Sequence, residues 1–152
     1  MASHVQRVEP AIETNPEIVA HLRNGVAQSP IWRWYNITVE WAAEGACRLK
    51  MPVQPSMINA DDQTLHGGII ATLVDEVVGA AMSTFHYSDS GVRGFTTTEL
   101  CVSYLEGVLT PEVYAEGHIL RNGRTLVVGQ ADILDGTGKL CARGRVTYMT
   151  FR

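Results

Sequence analysis

The feature that most constrains this fold is a stretch of twenty residues, 65–84, that is almost continuously apolar (LHGGIIATLVDEVVGAAMST). It is too long for an ordinary β-strand and rich in Ala, Leu and Ile, so we expect a buried helix that begins near Gly67 or Gly68. A helix that is apolar on nearly all sides needs cover over most of its surface. The rest of the chain must therefore wrap around it.

Most of the remaining sequence has the patterns of strands and turns. Before the long helix, Asn15-Pro16 precedes a short helical pattern, 17–24, that ends at Gly25. Residues 31–53 predict two strands joined by a turn at Gly45, and the polar segment 54–64 predicts a loop. We expect four further strands, at 94–105, 113–120, 125–134 and 140–151. The second and third of these flank a hairpin turn at Asn122-Gly123.

These elements predict an α+β fold in which a strongly curved antiparallel sheet wraps around one long central helix. We expect a single domain over residues 1–152, with an N-terminal segment, 1–30, that carries the short helix. The outer face of such a sheet still needs a partner. Charged residues make up only 18% of the chain, against about 25% in typical domains, which favours a homo-oligomer.

Composition excludes several classes of function. The net charge is −4 and the pI is near 5.7, which argues against nucleic-acid binding. No apolar run approaches the length of a membrane span, and the N-terminus lacks a secretory signal, so we expect a soluble, cytoplasmic protein. The three cysteines form no CxxC pair, the histidines show no metal-ligand spacing, and GxSxG, phosphate-loop, GxGxxG and HExxH motifs are absent. We therefore expect neither a metal nor a cofactor.

The adjacent acids Asp75 and Glu76 lie inside the apolar helix, where an unpaired carboxylate costs several kcal/mol. At about 100° per residue, Asp75 shares a stripe of small residues with Gly68, Thr72 and Gly79, which leaves room for a substrate. Glu76 points about 100° away. The alternative is that both acids pair with arginines in a structural network.

The sequence His66-Gly67-Gly68 marks the predicted helix start. The glycines leave the first N–H groups unshielded at the positive end of the helix dipole, where they can stabilise an oxyanion. The alternative is a tight turn made easy by glycine, with His66 bonded to nearby backbone.

Together, LHGGIIATLVDE and TTTELCVSYLEGV resemble the PaaI-like acyl-CoA thioesterases of the hotdog superfamily over about residues 31–151. The resemblance implies a hotdog fold, with Asp75 as the catalytic carboxylate and the Gly67 amide as the oxyanion donor. It also implies substrate-binding roles for His66, Gly68, Asn59 and Thr97. Asn59 lies one residue earlier than the family pattern places its asparagine. Some relatives carry a threonine one turn after the acid, where this chain has Gly79.

One geometric consequence is independent of the family. Gly67 and Asp75 are eight residues apart on one helix, a rise of about 12 Å. A single thioester carbonyl cannot touch both groups of the same chain, so if both act on it, one must come from a second subunit. The family resemblance agrees, since it implies a homodimer or homotetramer. For the coenzyme A moiety we expect the hairpin arginines Arg121 and Arg124.

The sequence thus predicts an acyl-CoA thioesterase in which Asp75 acts as general base on water or as nucleophile. Two alternatives use the same fold. A non-catalytic module that binds or senses acyl-CoA would keep the pocket without requiring Asp75. A hotdog dehydratase would need a catalytic histidine in a proline-rich motif, and His66-Gly67-Gly68 lacks the prolines.

Overall fold

The computed structural model of the protein describes residues 13–61, 63–85 and 92–152. Its helices are α1 (Pro16–Asn24), α2 (Pro30–Tyr35) and α3 (Gly67–Ser83), with 3₁₀ turns at Val26–Gln28 and Pro55–Met57. Its strands are β1 (Thr38–Ala43), β2 (Ala46–Pro52), β3 (Gly94–Tyr104), β4 (Glu112–Asn122), β5 (Leu126–Asp135) and β6 (Leu140–Phe151). None of the described helices is both long and apolar enough to cross a membrane.

The strands form one antiparallel sheet in the order β1-β2-β4-β5-β6-β3. Helix α3 packs against five of them, β2 to β6, and is the long central helix that the sequence predicts. The chain crosses from one side of the sheet to the other through α3, so β3 lies at the edge beside β6. The predicted fold class is confirmed, and so is the β4–β5 hairpin.

The N-terminal region differs from the prediction in one place. Residues 31–35 were expected to be extended, but they belong to α2. Ser29 caps this helix by accepting a hydrogen bond from the Trp32 N–H. Pro30 occupies the first turn, where the missing N–H of a proline costs no helical hydrogen bond. The helix ends at Asn36 in the left-handed conformation, and the strand alternation begins only after it. Trp32 is buried, and this burial stabilises the short helix against α3.

Two strand glycines set the distance between α3 and the sheet. A Cβ atom on Gly117 of β4 would lie 2.6 Å from the backbone oxygen of Val77, and one on Gly144 of β6 would lie 2.4 Å from a methyl group of Val74. Both distances are shorter than van der Waals contact, so any side chain at these positions would force the helix outward. The two glycines therefore fix the depth at which α3, and the acid it carries, sits over the sheet.

Candidate active site

The start of α3 is organised by His66. Its ring nitrogen Nδ1 accepts a hydrogen bond of 2.9 Å from the Gly68 N–H, so His66 acts as the N-cap. A Cβ atom on Gly68 would lie 3.0 Å from that nitrogen, which explains why the second glycine is needed. The His66 ring is therefore bonded to nearby backbone, the alternative that the sequence left open. The Gly68 amide is occupied in the same bond.

The Gly67 N–H, unlike that of Gly68, is not engaged in a hydrogen bond with a described residue. Among the described residues no acceptor lies within hydrogen-bonding distance of its N–H. Its carbonyl oxygen accepts a hydrogen bond of 2.8 Å from the hydroxyl of Tyr104, at the end of β3. Gly67 thus keeps a backbone donor available at the positive end of the α3 dipole, while Tyr104 holds the peptide in place. This arrangement suits the binding of a negatively charged oxygen.

Asp75 lies in the middle of α3 and is held by two hydroxyl groups. Its Oδ1 accepts hydrogen bonds from Thr97 of β3, at 3.0 Å, and from Tyr148 of β6, at 2.9 Å. The Thr97 hydroxyl is also 3.3 Å from Oδ2. The sequence predicted that Thr97 belongs to the site, and the structure brings it into direct contact with Asp75. Neutral hydroxyl donors orient a carboxylate without neutralising its charge, so it remains able to accept a proton.

Glu76 turns away from these hydroxyls, as its helical position predicted. Its Oε2 accepts a hydrogen bond of 2.6 Å from the indole N–H of Trp32 in α2. Burial raises the pKa of this half-buried carboxyl, the Trp32 bond opposes the rise, and the nearby charge of Asp75 adds to it. Among the described residues neither acid pairs with an arginine, because Arg143 is bound to Asp132 at 2.6 and 2.9 Å. The predicted alternative of an arginine network is therefore wrong for both acids.

A cleft of about 220 Å³ opens beside Asp75. It lies between the N-terminal segment, α3 and β3, and its lining includes Val26, Asp75, Glu76, Phe95, Thr97 and Tyr148. The predicted stripe of small residues is open only in part. Gly68 and Thr72 are partly or fully exposed, but Gly79 is buried beneath the Tyr148 hydroxyl and the Phe95 ring. The cleft itself lies on the Gly79 side of Asp75, because Gly79 is among its lining residues and Gly68 and Thr72 are not.

Gly67 and Asp75 both lie on α3, as predicted, eight residues apart. At 1.5 Å per residue they are separated by about 12 Å along the helix axis. The Gly67 amide of one chain is therefore out of reach of a carbonyl group that is being attacked beside Asp75 of the same chain.

Asn59 lies in the loop that precedes α3. Its side-chain nitrogen donates to the Thr64 hydroxyl at 2.9 Å and is 3.5 Å from the Leu65 carbonyl oxygen. The Asp61 carboxylate accepts from the backbone N–H groups of Gln63 and Thr64 and from the Thr64 hydroxyl. In this chain the Asn59 amide group thus closes the loop that delivers residues 65–68 to the helix start.

Arg121 and Arg124 are exposed at the β4–β5 hairpin, and neither forms an ion pair with a described residue. Three other basic residues of the described chain are engaged with acids, in the pairs Lys139–Glu106, Arg143–Asp132 and Arg145–Glu99. The Arg124 carbonyl accepts a hydrogen bond from Thr150, which lies opposite Phe95 of the cleft in the β3–β6 pairing. The hairpin is therefore at the cleft end of the sheet.

The described part of the chain contains no group of three or more His, Cys, Asp or Glu side chains placed to hold a metal ion. The hydrogen bonds that side chains form with Asp75 and Gly67 use carboxylate, hydroxyl and backbone groups alone. The chemistry that they support is proton transfer or nucleophilic attack by a carboxylate, together with stabilisation of an oxyanion by a backbone amide.

Sequence reasoning missed two residues of this site, Tyr104 and Tyr148. Tyr104 lies within the motif TTTELCVSYLEGV, so its strand position was available as a signal. Tyr148 lies in β6, 73 residues after Asp75, and no local pattern connects the two.

Comparison with known proteins gives consistent results. The family model described as Thioesterase superfamily matches residues 62–142. Human acyl-coenzyme A thioesterase 13 is 34% identical over 113 residues, which cover 73% of this chain and 77% of the human protein. Zebrafish thioesterase superfamily member 2 has a TM-score of 0.71 at 28% identity, covering 92% and 99% of the two chains. The E. coli PaaI protein from the phenylacetic acid degradation operon shares the fold, with a TM-score of 0.77 at 16% identity over 92% and 97%.

Proposed function

Because the chain belongs to the thioesterase superfamily, with the hotdog fold of its PaaI-like members, we propose that it hydrolyses acyl-CoA thioesters to a free acid and coenzyme A. The observation that carries this proposal is the Asp75 carboxylate, which is fixed by two hydroxyls beside an open cleft. The name of the human relative supports an acyl-CoA substrate.

In the proposed reaction Asp75 acts on the thioester in one of two ways. As a general base it removes a proton from water while the water oxygen attacks the carbonyl carbon. As a nucleophile it attacks the carbon itself, and water then hydrolyses the resulting anhydride. In both routes the carbonyl oxygen becomes an oxyanion, the C–S bond breaks, and the thiolate of coenzyme A leaves and takes up a proton. We assign the oxyanion to the Gly67 N–H.

The Gly67 amide must come from a second chain, because the two groups are about 12 Å apart on one helix. Strand β3 supports such an assembly. It is an edge strand of eleven residues, most of its residues are exposed, and Phe95, Leu100 and Tyr104 lie on its surface. A long edge strand with exposed apolar side chains pairs readily with another chain. Because Thr97 and Tyr104 lie on the same strand, pairing there would place both site groups at the interface. We propose a homodimer or a dimer of dimers.

We propose that Arg121 and Arg124 contact the phosphate groups of coenzyme A. The support is that both are exposed and have no acidic partner among the described residues, at the end of the sheet that borders the cleft. Guanidinium groups suit phosphate oxygens because they donate two parallel hydrogen bonds.

The decisive experiment is a panel of acyl-CoA substrates assayed by release of free thiol, with Asp75→Asn compared with the wild type. We expect Asp75→Asn to lower kcat by about 100-fold or more. Glu76→Gln is the matched control, since it changes the adjacent acid in the same way, and we expect a smaller loss. Full activity in a folded Asp75→Asn variant would remove Asp75 from the mechanism. Acyl-CoA binding without turnover by the wild type would indicate a sensing module instead.

A further inference from the structure

The Tyr148 phenol touches Asp75 at two points, although no reaction step described above uses it. Its hydroxyl lies 2.6 Å from the Asp75 backbone oxygen and 2.9 Å from Oδ1 of the side chain. The ring is 2% exposed and packs edge-on against Phe95, with ring centres 5.1 Å apart. From these contacts we infer that Tyr148 is the positioning residue that sets the orientation of the Asp75 carboxylate. This inference rests on the proposed function, in which Asp75 is the reacting group.

Gly79 is the residue that admits the phenol. A Cβ atom at position 79 would lie 3.3 Å from the Tyr148 hydroxyl oxygen, a contact so tight that the hydroxyl would have to shift by a few tenths of an ångström. Gly79 follows Asp75 by one helical turn, on the same stripe of α3. A larger residue there would push the hydroxyl away from the carboxylate. The glycine and the tyrosine therefore work as a pair, in which one leaves the space that the other fills.

The contacts distinguish the two carboxylate oxygens of Asp75. Thr97 donates to Oδ1 at 3.0 Å, and the single Tyr148 proton is shared between Oδ1 and the closer Asp75 carbonyl oxygen. The only described donor near Oδ2 is Thr97, at 3.3 Å. Oδ2 therefore keeps more of its acceptor capacity for a water molecule than Oδ1 does.

Burial, together with the negative charge of Asp75, raises the pKa of the Tyr148 phenol far above its ordinary value. The phenol consequently stays protonated and remains a hydrogen-bond donor throughout the pH range in which a carboxylate titrates. The other groups that face Asp75 are Glu76 beside it on α3, the neutral Thr97 hydroxyl from β3 and the apolar Val26 from the N-terminal segment. Among the described residues that line the cleft, Glu76 and Tyr148 are thus the titratable neighbours of Asp75.

The test is Tyr148→Phe, which removes one oxygen and keeps the ring against Phe95. We expect kcat to fall about 10-fold or more while KM changes little, because a small displacement of a reacting group costs rate rather than binding. This split between kcat and KM is the readout that distinguishes positioning from a merely structural role, which would move the melting temperature and leave kcat unchanged. Tyr114→Phe is the matched control, because Tyr114 donates to Glu112 away from the cleft.

A second variant pair separates positioning from packing. Without the phenol oxygen, a Cβ atom at position 79 meets only ring atoms at 3.8 and 3.9 Å, so a serine fits there. Ser83 already bonds the backbone carbonyl four residues earlier at 2.9 Å, and a serine at position 79 would bond the Asp75 carbonyl in the same way, without donating to the carboxylate. We therefore expect neither Gly79→Ser nor Gly79→Ala to restore the activity of Tyr148→Phe, and recovery with Gly79→Ala would show that the loss came from packing and overturn the inference.

The double variant Asp75→Asn/Tyr148→Phe completes a double-mutant cycle, which measures whether the effects of the two substitutions on activity are independent. If Tyr148 acts through Asp75, the double variant is no less active than Asp75→Asn alone. A further loss in the double variant would overturn the inference, and so would Tyr148→Phe with a lower melting temperature but an unchanged kcat. Failure of the proposed function is distinguishable, because it appears as a wild type without turnover or as a fully active Asp75→Asn.

Discussion

If the active site is shared, two inactive variants restore activity when their chains assemble together. The first is Gly67→Pro, which removes the amide assigned to the oxyanion. The second is Asp75→Asn, which removes the base or nucleophile. Each homo-oligomer carries the same defect in every site, so we expect each alone to be inactive.

The structure indicates that Gly67→Pro is tolerated by the fold. Gly67 is the first residue of α3, where a proline is common, and among the described residues its N–H has no acceptor to lose. The preceding residue, His66, has φ −61° and ψ 132°, which is the extended conformation that a following proline requires. Space is also available, since a Cβ atom on Gly67 would lie 3.4 Å from the Tyr104 ring, an ordinary contact. The variant thus tests the amide rather than the stability of the helix.

The size of the recovery follows from the symmetry. In an equal mixture the Gly67 side of a site comes from an intact chain half of the time, and so does the Asp75 side. About a quarter of all sites then combine both intact groups, if chains pair at random in a closed two-fold dimer. We therefore expect about a quarter of the wild-type activity per site.

The assay is thiol release after the two variants are refolded together, with hybrid oligomers counted by native mass spectrometry. Light scattering on the wild type should show that the active species is at least a dimer. Gly67→Ala is the control, because it adds a side chain but keeps the amide and should lose far less activity than Gly67→Pro. Hybrids without recovered activity, or an active monomer, would refute the shared site.

Two further predictions concern stability. Gly117→Ala should lower the free energy of unfolding by about 2 kcal/mol, because its Cβ would press on the Val77 backbone. Denaturant titration measures this change. The control is Gly94→Ala, whose Cβ would have no atom within 4 Å and whose free energy of unfolding should change much less. Burial raises the pKa of Glu76 in the folded protein above 4.5. As the pH rises, the Glu76 carboxyl therefore loses its proton at a lower pH in the unfolded chain than in the folded one. Between about pH 4 and pH 7 the melting temperature of the wild type should thus fall relative to that of Glu76→Gln. A constant difference between the two melting temperatures would contradict a raised pKa for Glu76.

Several elements were predictable because their causes are local. The apolar run that became α3, the helix start at Gly67 and the turn at Gly45 each depend on residues close together in sequence. The position of Asp75 on that helix follows from the helical period, and so does its separation from Gly67. These features can be predicted from residue type and spacing, because the residues that determine the period and the caps of a helix lie within one or two turns of each other.

The error at residues 31–35 shows where local patterns become ambiguous. A short run with Ile, Trp and Tyr suits a strand or a helix, and the decision came from the Ser29 cap and from the burial of Trp32 against Glu76. That partner is 44 residues away, so its contribution is absent from the local sequence.

The sequence by itself determined the long helix, the positions of the strands along the chain and the two groups, Gly67 and Asp75, that one chain cannot bring together. Only the tertiary structure decided what holds Asp75. Thr97 and Tyr148 reach it from β3 and β6, at sequence separations of 22 and 73 residues. Those contacts depend on how far each strand is shifted along its neighbour and on how closely α3 sits over the sheet. A shift of one residue would turn either hydroxyl to the opposite face, and no local pattern specifies it.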